Sequence, residues 1–162
     1  ISAVGDYRTS AKLSPPLRSE DDRRAIVEGL TDGTIDAIAS DHAPHDQDSK
    51  RLPFAQAASG ILGLETLLPL TLELFHNNHL KLHLALQTIT SAPAALLGLE
   101  TGRMAKGRRA DLVLFDPERP YRIDVDSFRS KSKNSPFEGR PVEGKVLLTV
   151  TSGRVVHDAR GS

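Results

Sequence analysis

Three features of this 162-residue sequence predict an α/β protein. A capped amphipathic helix over 19–33 runs almost directly into the apolar segment "IDAIAS" at 35–40. A leucine-rich helical stretch follows from 64 to about 100, and after Ala110 the texture turns to β-branched residues. A helix feeding a buried strand after a single residue is the sequence form of an α/β unit, and the tail reads as a small separate β unit.

The helix over 19–33 is set by its ends. Ser19 is the N-cap, Asp22 stands at the third helical position, acids crowd the first turn, and Gly33 closes it. Ala25, Ile26 and Leu30 share a face. The run at about 34–40 then reads as a buried strand, since an apolar stretch of that length bounded by polar residues has strand dimensions.

Residues 64–78 carry leucines at 64, 67, 68, 72 and 74 and predict a helix, with Pro69 kinking it or lying in its first turn and Asn77 and Asn78 ending it. The segment 81–90 predicts another. A short third helix follows Ser91, with Pro93 in its first turn and Gly98 at its close. "DLVLFD" and "KVLLTVTSGRVVHD" predict strands, the second folded into a hairpin at Ser152-Gly153. The proline-containing, polar stretch 117–141 between them is expected to be a loop. Residues 1–100 and 101–162 thus form two expected regions.

Composition narrows the function. Twenty-one basic residues balance twenty-one acidic ones, so no net field favours nucleic acid or an anionic membrane. A small molecule or another protein is the expected partner. There is no cysteine, so a metal site must use histidine or oxygen ligands. No apolar run approaches the roughly 18 residues of a membrane span, and "ISAVGDYRTS" lacks the regions of a signal peptide. A soluble cytoplasmic protein is expected. Ile1 is not an initiator methionine, and the pattern opens in mid-course, so the chain is read as a piece of something longer.

The chemistry concentrates in "AIASDHAPH", residues 37–45. On a strand, Asp41 shares a face with Ile35, Ala37 and Ala39, while Ser40 and His42 point the other way. If that strand belongs to a β/α barrel, Asp41 stands at its C-terminal end, where such barrels keep their chemistry. One carboxylate there can both ligate a divalent cation and exchange a proton. Pro44 provides a rigid turn that can hold His45 over the cavity, and His42 would support from behind. Spacing alone leaves a plainer alternative open, in which Ser40 or Asp41 caps a turn and the histidines are surface residues. His76, His79 and His83 have helix-like spacing but are interrupted by Asn77 and Asn78, so they are expected at helix ends or in loops.

Longer stretches carry a resemblance. "KLSPPLRSEDDRRAIVEGLTDGTIDAIASDHAPH", "GILGLETLLPL", "TSAPAALLGL", "GRMAKGRRADLVLFD" and "SKSKNSPFEGRPVEGKV" follow one another as they do in the C-terminal part of dihydroorotases, members of the amidohydrolase superfamily. The resemblance runs from about Ala11 to Val156. It implies the last part of a metal-dependent β/α barrel and a small β-sandwich remnant, with the barrel incomplete in this chain. The implied reaction interconverts L-dihydroorotate and N-carbamoyl-L-aspartate in pyrimidine biosynthesis. In it a zinc-bound hydroxide attacks the ring amide while Asp41 serves as metal ligand and acid/base group.

By the same resemblance His45, Ser14 and the Ser59-Gly60 pair contact the substrate. Two of these depart from the commonest pattern, which has asparagine before "PPLR" and phenylalanine before the glycine; Ser14 shortens the side chain, and Ser59 can still serve through its backbone. The family's early HxH motif and other metal ligands have no counterpart in these residues, so the remaining zinc ligands are expected upstream and this chain alone is expected to be inactive. Expected partners are the substrate, further copies or the missing barrel portion, and aspartate carbamoyltransferase. Two other readings stay open: an allantoinase or hydantoinase-like cyclic amidase, and a non-catalytic scaffold subunit of aspartate carbamoyltransferase.

Overall fold

The computed structural model describes residues 4, 5 and 7–161, so Ile1, on which the expectation of a longer protein rests, lies outside them. Among the described residues five α-helices precede three strands in chain order. The helices are α1 (Glu20–Asp32), α2 (Gln47–Arg51), α3 (Leu67–His76), α4 (Leu82–Thr88) and α5 (Ser91–Leu96), and the strands β1 (Leu112–Arg122), β2 (Pro141–Thr151) and β3 (Arg154–Asp158).

The caps act as the sequence predicts. Ser19 Oγ accepts the Asp22 N–H at 3.2 Å while the Ser19 N–H donates back to Asp22 Oδ2 at 3.1 Å, a reciprocal capping box that opens α1. Gly33 follows the helix with φ +83°. Pro69 lies in the first turn of α3, where its missing N–H has no helical partner to lose. Asn78 leaves that helix in the left-handed region at φ 59°, and Gly98 does the same after α5 at φ 65°. Of the three histidines, His76 ends α3, His79 follows it, and His83 is the second residue of α4, at that helix's start. The five-residue α2 has no apolar periodicity to announce it; Asp46 caps it by accepting the Ser49 N–H.

Compactness groups the chain into two units, each drawn from separate stretches of sequence. One comprises the chain up to Gly29, Ala39–Leu67 and Arg122–Pro141; the other holds Leu30–Ile38, Leu68–Tyr121 and the chain from Val142 on. The first unit buries Ala11, Ala57, Leu62 and Ile123 together with the polar Lys50, Thr66, Asn134 and Ser135. In the second, Leu72, Leu80, Ala85, Ala94 and Val142 are buried, with Leu72 fully enclosed.

The second unit carries a three-stranded sheet in the order β1-β2-β3. β2 and β3 pair antiparallel, and their hairpin turns at Ser152 and Gly153, both at positive φ (50° and 78°), as a two-residue primed turn requires. Asp111 steadies the tip by accepting the Ser152 N–H at 2.7 Å, a bond that holds its carboxyl below the usual range. Gly144, at φ +107°, lies where an added Cβ would strike Leu72 of α3.

Two expectations are corrected. The stretch 117–141 is not wholly loop, because β1 continues through Pro117 and Pro120 to Arg122. Prolines are tolerated there because β1 is an edge strand, and the Pro117 carbonyl accepts from His76 Nε2 at 3.0 Å. Residues 34–40 belong to no sheet, and their burial does not alternate: Ile35, Ala37 and Ile38 are half-buried and Ala39 is exposed. Within its unit the Ile38 N–H donates to the Thr88 carbonyl at 2.9 Å. A barrel strand draws ladder bonds from a neighbour on each side, and the described residues supply neither.

Candidate active site

All predicted site residues fall in the first unit, in three segments: 12–15, 41–45 and 59–63. Backbone bonds join them. The Ala43 N–H donates to the Ile61 carbonyl and the Gly60 N–H to the Lys12 carbonyl, each at 2.9 Å. The approach of 41 to 63 is close enough to require glycine, since a Cβ on Gly63 would fall on Ser40 Oγ and the Asp41 carbonyl. Gly60 is needed twice over. Its φ is +120°, and a Cβ there would lie 2.5 Å from the Ala43 Cβ and 3.3 Å from His45 Nε2.

Asp41 is exposed. Its Oδ1 accepts the His42 N–H at 2.7 Å, and among the described residues its other carboxylate oxygen takes no hydrogen bond. His42 turns to the supporting side, its Nδ1 accepting the Gly63 N–H at 3.3 Å, which requires the proton of the neutral ring to sit on Nε2. His45 is half-buried. Its Nε2 lies 2.9 Å from the Ser59 carbonyl; a carbonyl only accepts, so Nε2 carries hydrogen and Nδ1 is left to address a ligand. Thus His45, Ser59 and Gly60 are in direct contact. Exposed Ser14 stands two residues beyond the Lys12 carbonyl that Gly60 bonds.

Three residues that motif reading did not single out hold this arrangement. Lys12 Nζ donates to the carbonyls of Ala55 (2.9 Å) and Ala57 (2.7 Å) and lies over the Phe54 ring. Lys50 is 8% exposed and donates to Thr9 (3.1 Å) and Ala58 (2.8 Å); burial, then the charge of Lys12, lowers its pKa. Asn134 reaches in from 89 residues away in sequence to accept the His45 N–H at 3.1 Å. It lay inside the quoted "SKSKNSPFEGRPVEGKV" stretch, but a loop asparagine has no periodic signal that marks it as a partner. His45, Asn134, Lys50 and Lys133 border a cleft of about 270 Å³.

The donor set fits a metal only in part. A structural or catalytic zinc takes three or four protein ligands. Among the described residues no group of three or more His, Cys, Asp or Glu side chains is gathered to hold a metal. Asp41, with one oxygen free, can supply a single ligand.

The Amidohydrolase family model matches residues 8–156. This chain belongs to the amidohydrolase family. Among its amidohydrolase relatives, a dihydroorotase of Anaplasma phagocytophilum (strain HZ) is 55% identical over 98% of this chain and 35% of its own length. A dihydroorotase of Desulforapulum autotrophicum is 50% identical over 96% of the chain and 36% of its own length. Among solved amidohydrolase structures, the L-hydantoinase of Arthrobacter aurescens superposes with a TM-score of 0.90 at 33% identity, covering 98% of this chain and 36% of that one. The chain spans about a third of the length of the relatives it matches, and the matched part is their C-terminal portion. The mixed α/β content agrees with this fold, and among the described residues no helix is long and apolar enough to cross a membrane.

Proposed function

We propose that the full-length protein containing this chain is a zinc-dependent dihydroorotase of the cytoplasm, interconverting L-dihydroorotate and N-carbamoyl-L-aspartate in pyrimidine biosynthesis. The observation that carries this reading is the 55% identity to a dihydroorotase across nearly the whole chain. In this reading residues 1–100 belong to the end of a β/α barrel and 101–162 to a β-sandwich whose other strands lie elsewhere in the protein. The remaining barrel, or further copies of the chain, would be its partners, with aspartate carbamoyltransferase a further one.

Asp41 is assigned two tasks: its free oxygen offers a ligand to zinc, and its carboxylate accepts a proton and returns it to the leaving nitrogen. A zinc ion bound there supplies Lewis acidity and an activated water. The other ligands would come from outside this chain. His45 holds the substrate carboxylate through Nδ1, protonated for the purpose, while Nε2 stays on Ser59. The backbones of Ser59 and Gly60, with Ser14, line the ring.

A second reading, a hydantoinase-like cyclic amidase, is favoured by the L-hydantoinase superposition. Turnover of dihydroorotate, hydantoin and allantoin by the full-length protein, with metal content measured alongside, separates the readings. Dihydroorotate should be the preferred substrate. Asp41→Asn keeps the shape and a carbonyl oxygen for the metal but carries no proton at neutral pH, so kcat should fall by ~10²–10⁴ with the fold retained. Preference for hydantoin or allantoin would establish the second reading. A zinc-free, inactive wild type would establish a scaffold subunit, and an Asp41→Asn variant as fast as an active wild type would remove Asp41 from the mechanism.

A further inference from the structure

We infer that Asn134 is the positioning residue of this site, fixing the His45 imidazole and the Ser59-Gly60 backbone at one spacing for the substrate; the inference rests on the cyclic-amidase reading of that site. Asn134 is 8% exposed, and its amide is almost fully used. Oδ1 accepts the His45 N–H at 3.1 Å, and Nδ2 donates to the Ala43 carbonyl at 2.8 Å and the Gly60 carbonyl at 3.3 Å. Its backbone carbonyl accepts the Leu62 N–H at 3.1 Å. One residue therefore bonds two of the three segments that carry the predicted substrate contacts, on either side of the His45–Ser59 contact.

The residue is itself held in place. The loop that bears it is closed at its base by the Ile123 N–H on the Arg140 carbonyl (3.0 Å) and the Gly139 N–H on the Ile123 carbonyl (2.8 Å). Lys133 Nζ donates to the carbonyls of Asp126 (3.2 Å) and Phe128 (3.1 Å), drawing in the stretch just before Asn134. A short amide fixed in this way cannot follow the two segments if they spread, so it sets their separation rather than adapting to it. The half-buried Ala43 and Gly60 carbonyls, left without a donor, would move to find one.

Two variants of the full-length protein test this. Asn134→Ala removes all three side-chain bonds. Asn134→Asp keeps the acceptor for the His45 N–H but turns a carboxylate oxygen on the Ala43 and Gly60 carbonyls. Both should raise KM for the cyclic amide that the wild type prefers by roughly tenfold or more, with kcat and metal content little changed. Amide exchange at His45 should quicken in Asn134→Ala and stay protected in Asn134→Asp, a split that a general loss of folding would not produce. Unchanged KM in both variants, or kcat falling in step with metal content and KM, would overturn the inference. A wild type that hydrolyses none of the cyclic amides would sink the proposed function instead, and His45 exchange alone would then decide for Asn134: equal exchange in wild type and Asn134→Ala refutes it.

Discussion

Asp41 and His45 stand out in the sequence because a carboxylate and two imidazoles at the exit of an apolar run are rare and local. Their relation to one another does not. Among the described residues the Asp41 carboxylate accepts from the His42 amide and makes no hydrogen bond with His45 or Ser59, whereas His45 is bound to Ser59 through a contact 14 residues long in sequence. Gly60 was legible as a motif position, but the reason for glycine there, the closeness of Ala43 and His45, lies in the fold. The His45 ring has a consequence that can be measured. His45→Ala in the full-length protein removes the group assigned to the substrate carboxylate and also the partner of the Ser59 carbonyl, so KM for dihydroorotate should rise by an amount equal to about 1.5–3 kcal/mol. Steady-state kinetics with dihydroorotate check this, and an unchanged KM would mean that another group holds the carboxylate.

Elements with strong ends were legible and elements defined by distant neighbours were not. α1 was readable because its cap, acidic first turn and terminal glycine are all local; Asp22 is held below the usual carboxylate range first by its bond from the Ser19 hydroxyl. Ser19→Ala should destabilise the first turn of α1 by ~1 kcal/mol, seen as faster amide exchange at Asp22 and Arg23 with the rest of the helix unaffected. No change would show that the Arg18 and Arg23 side chains hold the turn without the cap. The second half of β1 was illegible for the opposite reason. Two prolines argue against a strand unless its position at the sheet edge is known, and edge position is a property of the whole sheet. Residues 34–40 show the reverse case, a sequence with the composition of a buried strand and no neighbour here to pair with.

At the scale of the molecule, apolar surface remains open in both units. In the second, Leu96 (62%), Leu97 (72%) and Met104 (87%) are exposed, as are Leu112, Val113 and Leu114 on β1 and Val155 and Val156 on β3; in the first, Ile26 and Leu64 are exposed. Soluble monomers seldom leave so much uncovered, and β1 presents a strand edge as well. Residues 1–162 expressed alone should therefore self-associate or aggregate, as size-exclusion chromatography with light scattering would show. A stable, cooperatively unfolding monomer would mean that this surface needs no cover.

The route from His45 to Asn134 also bears on biosynthesis. The unit that holds the site is assembled from three stretches of chain separated by the helices and the first strand of the other unit, so its last member emerges only with residues 122–141. A ribosome adding roughly 5–20 residues per second leaves His45 without its Asn134 partner for several seconds. Through that interval α3, α4 and α5, whose bonds are local, can form while the 43–45 and 59–63 backbones still lack their clamp. The pocket is thus among the later parts of the nascent chain to close, and a codon change that delays residues 122–141 would lengthen the time for which it stands open to proteases and chaperones.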